Sequence, residues 1–80
     1  MTPQEKKIND IAEALIERFY SFNPSYLLAT KCAIECQREV VQQLSHTILW
    51  VDESTTNYIK CKHFYTEAQQ VLENLEKRLL

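Results

Sequence analysis

Glycine is absent from all 80 residues of the chain. At ordinary usage, about 7%, a chain of this length carries roughly five or six. The absence removes glycine-rich phosphate loops, dinucleotide fingerprints, glycine-turned hairpins and glycine helix stops together. Long apolar runs are also missing: none exceeds four residues, Ile48-Leu49-Trp50-Val51 being one of them. A membrane-spanning helix needs about 20. The opening Met1-Thr2-Pro3-Gln4-Glu5-Lys6-Lys7 leads into an amphipathic pattern with no apolar h-region, so no signal peptide is expected. Three cysteines are an odd number, which excludes a complete internal disulfide framework. Nine Lys+Arg stand against eleven Asp+Glu, net −2, with both signs interspersed and no basic stripe for duplex nucleic acid. These features predict a soluble, intracellular and cytoplasmic protein with reduced thiols.

What is present is helical periodicity. Thr2-Pro3-Gln4-Glu5 is a capping box with proline at the first helical position. Ile8, Ile11, Ala12, Leu15, Phe19 and Phe22 then follow the three-and-four spacing of one buried stripe. Pro24 disfavours helical geometry at Asn23 and predicts a break there, with Asn23 capping the next helix. Ala29, Cys32, Ala33, Cys36, Val40 and Leu44 mark the second stripe, continued by Thr47 or Ile48. Ser45-His46-Thr47 have weak helix propensity and offer an earlier end. The polar segment from Asp52 to Asn57 reads as the second turn. Cys61, Phe64, Ala68, Val71 and Leu75 form a heptad-like seam widened by Tyr65, Leu72 and Leu79. The expected fold is all-α: a single helical domain over 1–80, with helices at roughly 3–22, 24–49 and 54–79. It forms an up-down-up bundle, or a helical hairpin plus a helix, assembled as an oligomer.

Below about 70–80 residues a single core rarely supplies more than 3–5 kcal/mol. The first helix is expected to be shorter than the others by about one to two turns. The mismatch leaves apolar surface bare, including Ile48, Leu49, Trp50 and Val51, which are read as an interface. A homo-oligomer follows, most simply a two-fold dimer. The competing reading folds Trp50 back over its own bundle.

Candidate chemistry is sparse. Cys32 and Cys36 sit four apart, with Cys61, His46 and His63 elsewhere, but all three cysteines coincide with the expected buried stripes. Neither a zinc site nor a Cys–His nucleophile is expected. Glu13/Glu17 and Glu35/Glu39 lack the Glu-x-x-His motifs a di-metal bundle requires and read as solvated faces. Neither catalytic residue, metal nor cofactor is expected. One cluster mixes cationic and aromatic side chains: Tyr58, Lys60, Lys62, His63 and Tyr65 could hold an anionic ligand, with Lys31 and Arg38 adding charge in an oligomer.

Thr30-Lys31-Cys32-Ala33-Ile34-Glu35-Cys36-Gln37-Arg38-Glu39-Val40-Val41, followed by the segment from Phe64-Tyr65-Thr66-Glu67 to Leu75, resembles a family of short helical proteins encoded by Bacteroidetes phages and prophages. Its members share an N-terminal amphipathic helix, a central lysine with Cys-Ala and an apolar residue, and an aromatic pair ahead of a leucine-bearing helix. Tyr65 stands where members commonly carry tryptophan. The resemblance implies a mobile-element origin and carries over no functional residue. Two functions compete under it. One is a non-enzymatic binding protein that self-associates and binds a host protein. The alternative is sequestration of an anionic nucleotide, a cyclic second messenger of host antiviral signalling.

Overall fold

The computed structural model describes residues 2–22 and 25–79 and contains three helices: α1 (Pro3–Tyr20), α2 (Tyr26–Leu49) and α3 (Thr56–Lys77). Each begins at a hydroxyl cap. Thr2 Oγ1 accepts from the Glu5 N–H at 3.1 Å, Ser25 Oγ from Leu28 at 3.3 Å and Thr55 Oγ1 from Tyr58 at 3.3 Å. Such caps satisfy backbone donors that the first turn leaves without helical partners.

The expected break between α1 and α2 is present, but its details differ. α1 ends at Tyr20, and Phe22 is exposed rather than part of the stripe. The expected cap Asn23 and first helical residue Pro24 lie outside the described residues; the cap is Ser25. α3 starts at Thr56, two residues later than expected, because Thr55 serves as its cap. α2 continues through Ser45 and ends at Leu49. Ser45 Oγ donates to the Gln42 carbonyl at 2.7 Å and Thr47 Oγ1 to the Gln43 carbonyl at 2.9 Å, so both hydroxyls fold onto the helix instead of ending it.

The core holds Ile8, Ala12 and Ile16 from α1, Ala29, Ala33 and Ile34 from α2, and Val71 and Leu75 from α3. Ile11, Leu15, Phe19 and Leu72 flank it. Ile16, Ile34 and the buried polar residues Thr30 and Gln37 were absent from the expected stripes. Thr30 turns its hydroxyl onto the Tyr26 carbonyl at 2.8 Å, and Gln37 finds a partner on α3, so both can be buried. Besides Phe22, four residues of the expected stripes lie outside the core: Cys32, Val40, Phe64 and Leu79 are exposed. Cys32 falls one position off the Ala29–Ala33 line, while Val40 and Phe64 lie beyond the reach of α1.

That reach is fixed by contacts at its N-terminal end. Gln4 meets Gln70 at 3.4 Å and Lys7 pairs with Glu67 at 2.9 Å, while the C-terminal end of α3 places Arg78 against Asn9 at 2.7 Å. α1 thus runs parallel to the second half of α3 and antiparallel to α2. With 18 residues against 24 and 22, it covers one end of the α2–α3 hairpin. Residues 38–49 and 56–66 extend past it as a two-helix arm. The molecule is correspondingly long, 46 × 27 × 21 Å.

Candidate functional site

The arm carries the surface that distinguishes this chain. On α2, the stripe that begins with Ala29 and Ala33, both fully buried, continues at the same three-and-four spacing through Cys36, Val40, Leu44 and Thr47. The alanines let helices approach closely; beyond them Val40 and Thr47 are exposed, while Cys36 and Leu44 are half-buried. Cys36, Glu39, Val40, Gln43, Leu44 and Thr47 line an open groove of about 480 Å³ along this face. On α3, Phe64 precedes the buried Val71 by two helical turns and Glu67, the partner of Lys7, by three residues, so it lies on the side that α1 covers lower down. Val40 is 40% exposed and Phe64 57%.

The tip exposes further apolar residues. Leu49 is 79% exposed, Trp50 89% and Ile59 68%, whereas Ile48 and Val51 are half-buried. Trp50 therefore does not fold back over its own bundle. It shares a second hollow with Glu39, Gln42, Gln43, His46 and Thr47, which adjoins the groove through Glu39, Gln43 and Thr47. From Val40 to Val51 the chain contains no Asp, Glu, Lys or Arg. Charge returns at the turn, where Asp52 Oδ1 accepts from the Ser54 N–H and Oγ, each at 2.9 Å. Those two hydrogen bonds, the backbone one first, favour the ionised form and hold the Asp52 carboxyl below the usual range.

The cationic–aromatic cluster is spread around α3. Lys60 and Lys62 are exposed and two residues apart, a spacing at which helical side chains do not face each other. His63 lies 3.8 Å from the Glu67 carboxylate and packs its ring 6.1 Å from that of Phe64. Tyr58 and Tyr65 are half-buried, and the Tyr65 hydroxyl accepts from Gln69 at 3.0 Å. Arg38 pairs with Glu35 at 2.7 Å and Glu76 at 3.4 Å, across the hairpin from the arm groove. Lys31 lies with Arg38 and Glu76 along that side. Within one chain these groups do not converge on a single pocket. Among the described residues, no three His, Cys, Asp or Glu side chains are grouped to hold a metal ion, and no helix is long and apolar enough to cross a membrane.

Val40 and Leu44 share the spacing of the core stripe and lie past the end of the shorter α1, within the apolar surface that its length is expected to leave bare. Fold and surface together define a class: an all-α three-helix bundle with an uncovered two-helix arm. No known protein family, curated protein or solved structure matches the chain.

Proposed function

We propose that this chain is a non-enzymatic binding protein that works through protein–protein contact, self-associating and presenting the apolar arm to a host protein. The phage or mobile-element setting belongs to the same proposal and rests on the resemblance alone. The observation that carries the reading is the arm itself, with Leu49, Trp50, Ile59 and Phe64 exposed and a span from Val40 to Val51 without Asp, Glu, Lys or Arg. Several large apolar side chains exposed at one end of a small protein mark a site of association, and tryptophan is among the residue types enriched at binding anchors.

Site-specific photocrosslinking in cells tests it. A benzoylphenylalanine replacing Trp50 is expected to capture protein, the second copy or another chain, and Leu49→Glu in the same chain is expected to abolish the product. Capture no stronger than from the same probe at Glu17, on the exposed face of α1, overturns the reading.

A further inference from the structure

We infer that the occupant of the arm groove is a second copy of this chain, its arm lying antiparallel on this one about a two-fold axis, so that two open hairpins close into one four-helix layer. The inference rests on the binding role proposed above and names the partner.

Surface area supplies the first argument. The chain exposes 5871 Å², whereas a monomeric protein of 9.5 kDa is expected to expose about 5,000 Å². The excess, about 800 Å², matches what each partner gives up in an interface of standard size. Its radius of gyration, 14.0 Å, exceeds the roughly 11.6 Å expected for a compact 80-residue domain in the same sense.

Shape supplies the second. The missing layer above the arm must be about as long as the arm, near 18 Å for the twelve residues from Arg38 to Leu49, and two helices wide. The arm of another copy has those dimensions by construction. α1 then decides the direction. It occupies the layer above the base of the hairpin, so a parallel second copy would drive its own base into α1. An antiparallel copy sets arm on arm and brings its tip up to the end of α1.

Charge agrees with that direction. Val40, Leu44 and Phe64 meet their own kind near the axis, and Glu39, the one carboxylate lining the groove, is exposed. The tip's Asp52 and Glu53 arrive at the N-terminal end of the other copy's α1, where the helix dipole is positive and Lys6, free of ion pairs among the described contacts, offsets the neighbouring Glu5.

Native mass spectrometry and small-angle X-ray scattering on the unmodified protein test the inference. The expected result is twice the 9.5 kDa chain mass and a largest dimension of about 74 Å, two 46 Å molecules overlapping by one arm. Val40→Glu with Phe64→Glu is expected to weaken the dimer about 30-fold or more while the far-ultraviolet circular dichroism stays helical, because both side chains are exposed in the single chain. A monomer, a dimer no longer than one molecule, a tip-to-tip dimer of about 90 Å, or an unaffected double variant overturns it. A monomer whose position-50 probe still captures another protein overturns the second copy alone and leaves the binding role standing.

Discussion

The side-chain amide of Gln37 donates to the backbone carbonyl of Ala68 across 3.0 Å, joining α2 to α3 where the three-helix part of the molecule gives way to the arm. Gln37 is 7% exposed and Ala68 equally buried. The carbonyl lies within α3 and already has a helical donor, so losing the amide orphans nothing on that side. Gln37→Leu is expected to fold with stability within about 1 kcal/mol of the parent, since an apolar group of similar size replaces a hydrogen bond of small net worth. Gln37→Ala adds a void and is expected to cost about 2 kcal/mol. Urea denaturation followed by circular dichroism separates the two.

Arg78 ties the opposite end. Its guanidinium reaches Asn9 at 2.7 Å, Asn74 at 2.9 Å and the Tyr26 hydroxyl at 3.4 Å, one residue on each helix, with the Glu13 carboxylate at 3.9 Å. The side chain is only 20% exposed. Arg78→Ala is expected to destabilise by about 2 kcal/mol, and Arg78→Lys by a smaller but measurable amount, because an ammonium keeps the charge and loses the planar fork. Thermal melts of both variants against the parent check the order.

The three thiols differ in access. Cys32 is exposed, whereas Cys36 and Cys61 are half-buried. Titration with a disulfide reagent under native conditions is expected to show one fast thiol and two slower ones, and Cys32→Ser is expected to remove the fast phase. In unfolding denaturant the three react together.

At the second turn, the Ser54 N–H and hydroxyl both donate to Asp52. With its folded pKa below the unfolded value, near 3.9, this carboxylate contributes stability above that value and loses it as the pH falls through the lowered folded pKa. Ser54→Ala removes the hydroxyl donor and keeps the backbone one. The Asp52 titration, followed by nuclear magnetic resonance, is expected to move up toward the ordinary value without reaching it.

The helices were legible because their signals are local. Thr2 ahead of Pro3 and Glu5, and the hydroxyl-rich turn before Tyr58, are short-range chemistry, and each cap formed within two residues of its expected place. Burial was legible only in part, because periodicity reveals that a face is apolar and not what covers it. Val40 and Leu44 carry the same spacing as Ala29 and Ala33; one pair lies under α1 and the other beyond its end. The exposure of Trp50 was readable from its place between an apolar run and the Asp52–Asn57 turn. Gln37 was not readable as a buried residue, since its partner is a backbone atom 31 positions away.

Confining the core to one end divides the molecule into unequal cooperative units. Amides between Tyr26 and Gln37 are held by packing on two neighbouring helices and are released only when the whole bundle opens. Those on the arm are freed when a single helix pair splays, which takes less free energy. The chain therefore has a firm end and a yielding end, and the yielding end is the one that carries the apolar surface. A partner seated there would add cooperativity where the isolated chain has least, so binding would rigidify the protein as well as occupy it.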